Sequence, residues 1–108
     1  MNISNKHIRI IDQILNKHFP DARILVFGSR AAGTNSTFSD LDLAIEDRHN
    51  TLSSMDIADA KQDFIESDLP FSVDLVDLTK VDEIFKSIIK KEGREWEEIV
   101  SEHRAYQK

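Results

Sequence analysis

Two apolar runs joined by a polar connection set the strongest limit on what this chain can fold into. The first, Leu25-Val26-Phe27, ends at Gly28-Ser29; ten residues intervene, and the second opens as Asp40-Leu41-Asp42-Leu43-Ala44-Ile45. Successive side chains of a strand point to opposite faces, so Leu41, Leu43 and Ile45 share one face and Asp40 and Asp42 the other. The apolar face must pack on helices, which turns both carboxylates away from the main core. The run over 23–27 is apolar without alternation, as befits a strand in the middle of a sheet.

Around these runs the punctuation is regular. Residues 5–18 read as a helix capped by Ser4 or Asn5, with Ile8, Ile11, Ile14 and Leu15 as its buried stripe, Phe19 near its end and Pro20 as its stop. Residues 28–33 form a turn with a short helical piece, and Thr34-Asn35-Ser36-Thr37 is a polar loop. A strand over 40–46 and a polar loop over 47–51 follow. Ser53-x-x-Asp56 then has the form of a capping box, opening a helix to about residue 67 with Ile57, Ala60, Lys61 and Phe64 along one side.

Pro70 announces a third strand over 72–77, in which Asp74 points away from the Val73/Leu75 face. Thr79-x-x-Asp82 is a second capping signal, ahead of Val81, Ile84, Phe85, Ile88 and Ile89 at helical spacing. Gly93 is the expected C′ residue of that helix. Residues 95–99 read either as a short edge strand carrying Trp96 or as a helical turn with Trp96, Ile99 and Val100 inward. The last residues, 105–108, are expected to fray. This alternation of helix and strand predicts an α+β or α/β fold, a small mixed β-sheet with helices packed on it.

With 108 residues, the chain is expected to form a single domain over 1–108. It has no cysteine, which removes disulfides and thiolate zinc sites from consideration. Without an apolar run of membrane-spanning length or a signal-peptide pattern after Met1, a cytoplasmic protein with no membrane role is expected. A net charge of −6 opposes extended nucleic-acid binding and suits a Mg²⁺-neutralised nucleotide or a basic protein partner.

The acids suggest chemistry. Residues two apart on a strand are about 6.6 Å apart, so Asp40 and Asp42 can converge on a pair of metal ions ~3.5–4 Å apart. If strand three neighbours strand two, Asp74 adds a third oxygen ligand from about 4.8 Å away. Two carboxylates ~5 Å apart repel by about 3 kcal/mol at an effective dielectric of 20, a cost that a cation or full solvent exposure removes. Exposure would make the acids simply a polar outer sheet face. Gly28 alone could likewise be a plain turn residue. A glycine after a buried strand also lets a phosphate approach with no Cβ in its way, and Ser29 adds a hydroxyl and an N–H. The two halves together describe a phosphate cradle facing a metal-binding strand.

The pattern Gly28-Ser29, ten residues, Asp40-Leu41-Asp42 resembles the signature of the DNA polymerase beta-like nucleotidyltransferases. With Gly28-Ser29-Arg30-Ala31-Ala32-Gly33, Ser39-Asp40-Leu41-Asp42-Leu43 and Val73-Asp74-Leu75-Val76, it is most similar to the minimal nucleotidyltransferase (MNT) family. That family is the antitoxin half of HEPN/MNT toxin–antitoxin pairs. The resemblance runs from about residue 3 to 93; the tail departs from the short Gly-then-apolar-strand ending expected there, which bears on the sheet's edge. It implies that Asp40, Asp42 and Asp74 are catalytic and hold two Mg²⁺ ions, and that Gly28 and Ser29 cradle the β- and γ-phosphates of ATP. Arg30 either touches phosphate or braces the turn by pairing with a carboxylate. The implied activity is AMP transfer from ATP to a hydroxyl, a tyrosine of a cognate HEPN RNase toxin.

The rival readings are weaker. A non-catalytic antitoxin that acts by complex formation has no use for three converging acids. A small-molecule nucleotidyltransferase would ordinarily need a second domain to hold its acceptor. A HEPN-type RNase role lacks an Arg-x4–6-His motif. His7, His18, His49 and His103 have no ligand spacing and read as surface histidines. Asp77 reads as a cap for the following helix, and Lys90-Lys91 as a solvated helix end. Asp47, Asp56, Asp59, Asp63, Glu66 and Asp68 read mainly as decoration of the second helix and its approach, an acidic docking face being the minor alternative. Trp96 reads as a core-edge anchor.

Overall fold

A computed structural model describes residues 1–36, 38–49 and 51–105. Thr37 and Asn50 of the predicted polar loops, and residues 106–108 of the tail expected to fray, lie outside the described residues. Helix α1 (Asn5–His18) is capped by Ser4, whose hydroxyl accepts the His7 N–H at 3.3 Å. Its stripe of Ile8, Ile11 and Leu15 is buried, with Ile14 at the margin. Phe19, itself buried, ends the helix by donating its N–H to the Leu15 carbonyl at 2.8 Å.

The sheet has the order β3-β2-β1-β4. The inner strands β1 (Ala22–Phe27) and β2 (Leu41–Asp47) run antiparallel; β3 (Val73–Asp77) lies parallel to β2, and the two-residue β4 (Arg94–Glu95) lies antiparallel to β1. The mixed sheet and the central place of β1 agree with the sequence. A parallel neighbour needs a crossover, and α3 (Ser54–Glu66) supplies it. Its capping box is complete: Ser53 Oγ accepts from Asp56 N and Asp56 Oδ2 from Ser53 N.

The two sheet faces differ. On one, Ile24, Val26, Leu41, Leu43, Ile45 and Leu75 merge with the stripes of α1 and α3 and with Trp96, Ile99 and Val100 of α5 (Trp96–Ala105). Full burial of each such aliphatic side chain is worth about 1.5–3 kcal/mol. The other face has a small cluster of Leu25, Ala44, Leu78 and Ile89, the last from α4 (Glu83–Glu92).

Helix α4 departs from expectation in two ways. Asp82 is its N-cap, accepting from Phe85 N at 2.8 Å, while Thr79 belongs to the preceding turn. There Asp77 accepts from both the N–H and the hydroxyl of Thr79, so it secures the turn and does not cap the helix. Leu78, fully buried, pulls the chain down onto the sheet before the helix can start. The second departure is burial. Ile89 is covered, whereas Ile84 is 76% exposed and Phe85 and Ile88 remain partly exposed, because α4 lies alone on its face.

Gly93 ends α4 in extended geometry (φ −71°), not in the left-handed conformation of a C′ glycine. It is needed for closeness: a Cβ there would lie 2.5 Å from the Ile89 carbonyl and 3.2 Å from that of Val26. The tail combines both predicted options. Arg94–Glu95 pairs with β1, and the helix beginning at Trp96 turns Trp96, Ile99 and Val100 inward. Trp96 Nε1 donates to Asp12 Oδ1 at 3.0 Å, so the anchor ties α5 to α1.

Two histidines are structural and not merely superficial. His18, with Lys17, meets Asp63 of α3 at 2.6 and 3.1 Å, and these partners hold the Asp63 carboxyl below its ordinary pKa. The ring of His103 bridges the carbonyls of Ile99 and Ile3. No described helix is long and apolar enough to cross a membrane.

Candidate active site

Strand register brings the predicted acids together. Asp42 stands opposite Asp74 across the parallel β2–β3 pair and opposite Phe27 across the antiparallel β1–β2 pair. Residues aligned on neighbouring strands project from the same face, about 4.8 Å apart. Asp42 and Asp74 therefore share the face opposite Leu43 and Leu75, and Gly28 follows directly on the aligned Phe27. Asp40 lies exposed, one residue before β2. The Asp42 carboxyl is held above its ordinary pKa, first by burial, then by Asp74 and Asp40. All three acids thus act in one electrostatic field.

Gly28 fits against this cluster. Its φ of +74° is one that L side chains rarely adopt. A Cβ at that position would overlap Asp42 Oδ2 and lie 3.3 Å from Asp42 Cγ. The glycine-serine bend and the acid are immediate neighbours. Ser29 follows in the short helix α2 (Gly28–Ala32), which ends at Gly33, the other glycine with positive φ.

Arg30 lies beneath this bend and not on its surface. It is 2% exposed, its guanidinium stacks 4.3 Å from the Phe71 ring centroid, and its Nε donates to the Ser39 carbonyl at 2.9 Å. The bond to the Ser39 carbonyl braces the bend. Because Ser39 directly precedes Asp40, this one side chain ties the glycine-serine half of the motif to the acidic half. Ser39 stood in the family-like stretch without a role of its own and Phe71 had no signal, since a backbone carbonyl and a stacking ring belong to no spacing pattern. Phe85 was visible as part of the α4 stripe, but its edge-on contact with Phe27 (5.7 Å between ring centroids) was not.

Among the described residues, no three acidic or histidine side chains are already drawn into a cage for an ion. The donor set nevertheless fits a hard cation. It is all oxygen, one member is partly desolvated, and that member, Asp42, sits against the Gly28 backbone where any other residue would place a Cβ. Mg²⁺ binds through one or two carboxylates together with phosphate oxygens and waters.

Comparison with known proteins gives the same picture. Residues 9–100 match the family described as Polymerase beta, Nucleotidyltransferase. The chain is 38% identical over 91 residues to a probable protein adenylyltransferase MntA of Haemophilus influenzae, covering 84% of this chain and 79% of that protein. Among solved structures, a toxin–antitoxin with AMP-PNP superposes with a TM-score of 0.68 at 24% identity, covering 91% of this chain and 84% of the other. A tri-AMPylated Shewanella oneidensis HEPN toxin in complex with MNT antitoxin gives a TM-score of 0.64 at 21% identity, covering 95% and 85%. At those identities the structures speak for the fold, and the sequence matches carry the assignment. On its fold, its aligned acids and these matches, the chain belongs to the polymerase beta nucleotidyltransferase family.

Proposed function

We propose that this chain transfers AMP from ATP to a hydroxyl of a HEPN toxin, a tyrosine by the family resemblance, and so acts as that toxin's antitoxin. The observation that carries this reading is the alignment of Asp42 with Asp74 on an open sheet face, with Gly28 against Asp42. The adenylyltransferase relative and the toxin–antitoxin neighbours support it.

Asp40, Asp42 and Asp74 would hold Mg²⁺, two ions by the resemblance. When bound, Mg²⁺ neutralises the triphosphate and lowers the pKa of the acceptor hydroxyl. Gly28 and Ser29 receive the β- and γ-phosphates, and Arg30 keeps that bend in register with Asp40 by holding Ser39. The acceptor oxygen bonds to the α-phosphorus as the bridge to the β-phosphate breaks. Pyrophosphate leaves with the bond's electrons, and the hydroxyl proton passes to water. Positioning and charge neutralisation carry the rate, so no side-chain nucleophile is required. The need for ATP supports a cytoplasmic site of action.

Incubation with the toxin, Mg²⁺ and ATP should add the mass of AMP to the toxin, and Mg²⁺ with ATP should raise the melting temperature of the chain. Asp42→Asn should abolish both. The stripe on α4 gives the second reading its footing, neutralisation by complex formation alone. A toxin whose RNase activity falls while its mass stays unchanged would replace the first reading with the second.

A further inference from the structure

The open face has a direction. Across the sheet, the site runs from the Gly28 bend after β1, through Asp42 on β2, to Asp74 on β3, and β3 is an edge strand. In an in-line displacement the attacking and leaving oxygens lie on opposite sides of the phosphorus. With the β- and γ-phosphates at Gly28 and Ser29, the acceptor must arrive from the side of Asp74.

Beyond Asp74 the surface is shaped. A groove of about 540 Å³ is lined by Lys61 and Ile65 from the end of α3 and by Pro70, Phe71, Ser72 and Asp74 on the approach to and start of β3. That is within the ~300–1,000 Å³ typical of built ligand sites. Ile65 is 76% exposed, an apolar side chain that lines the same groove as Asp74 and that no described residue covers. The outer backbone edge of β3 has no strand neighbour among the described residues and can pair with an extended segment.

We infer that this groove is the acceptor-binding site, taking an extended polypeptide segment of the protein being modified; the inference rests on the transferase reading above. The hydroxyl-bearing residue lies at Asp74, an apolar neighbour covers Ile65 and Phe71, and an acidic side chain farther along meets Lys61. The charges of this chain set that order: an acid in the segment is repelled at the Asp40/Asp42/Asp74 end and attracted at the Lys61 end. The groove meets the reaction centre at Asp74, the acceptor end, whereas the exposed Phe85 and Ile88 of α4 border its opposite end at Gly28 and Ser29.

The test is AMP transfer to the HEPN toxin by the full chain carrying Ile65→Asp or Lys61→Glu. Both positions are exposed, so folding is checked by an unchanged melting temperature, and the nucleotide site by a wild-type melting shift with Mg²⁺ and ATP. Ile65→Asp should raise KM for the toxin about tenfold, the scale of one hot-spot contact, and Lys61→Glu should raise it less. Wild-type KM in the Ile65→Asp chain overturns the groove and leaves the transferase reading intact. A wild-type chain that binds the toxin and transfers no AMP overturns both.

Discussion

The two faces of the sheet are built from the same strands by opposite rules. On the closed face, Leu41, Leu43, Ile45 and Leu75 are covered by three helices and make one continuous core. On the open face, the residues between them on β2 and β3 include Asp42 and Asp74, and α4 covers only the part around Leu25, Ala44 and Leu78. One face lowers the free energy of the fold; the other holds like charges together at some cost to it. Adjacent residues of a single strand thus answer to different requirements, and substitutions at neighbouring positions should act on different observables.

The largest effect expected is on chemistry. Asp42→Asn should lower the rate of AMP transfer by on the order of 10³-fold, the scale of losing an electrostatic contact made to developing charge. The same change should stabilise the protein, visible as a higher melting temperature without nucleotide. The sign follows from linkage. A carboxyl whose folded-state pKa is raised favours folding most when it is protonated, and that advantage is lost as pH rises from its unfolded value of about 3.9 through the raised folded one. The wild type should lose stability relative to Asp42→Asn across that window. A variant less stable than wild type above it would break the contrast between the faces.

One residue along, Leu43→Ala should cost about 2–5 kcal/mol, read from urea denaturation, because it opens a cavity in the fully buried face. Gly28→Ala combines the two faces' penalties. A positive φ costs an L residue about 1–3 kcal/mol, and the new methyl displaces Asp42, so transfer should fall even where the fold persists. The smallest effect tests the closed face at its margin: Trp96→Phe keeps most of the ring but drops the bond to Asp12, for about 1 kcal/mol.

Much of the contrast was legible in the residues. The alternation of Leu41, Asp42, Leu43 sorts itself between faces without any knowledge of the partners, and Asp74 follows from the same parity on β3. Parity could not show that β2 and β3 run parallel with Asp42 beside Asp74, since register is a property of two strands. Helix α4 shows the limit of periodicity. Ile84, Phe85 and Ile88 fall at helical spacing as a buried stripe would, yet the sheet offers α4 room to bury only Ile89. Spacing shows that a face is apolar and not what covers it. Asp82 displaced Thr79 as the cap because Leu78 had first to reach the core, a tertiary demand that overrides a local capping signal. Arg30 was recognisable as important, but among its partners the ring and the carbonyl it meets lie 41 and nine positions away.

The pairing of Phe27 with Asp42 gives the motif's spacing a meaning of its own. The ten intervening positions are the length of chain needed to leave one strand and return along its neighbour, so the interval records a β-sheet offset and not a distance of chemical importance in itself. A slip of β2 by one position would bury two acids among isoleucines and expose three aliphatic chains to water. The hydrophobic core therefore acts as the alignment gauge of the reaction centre, and a transferase of this design cannot lose its register without also losing its fold.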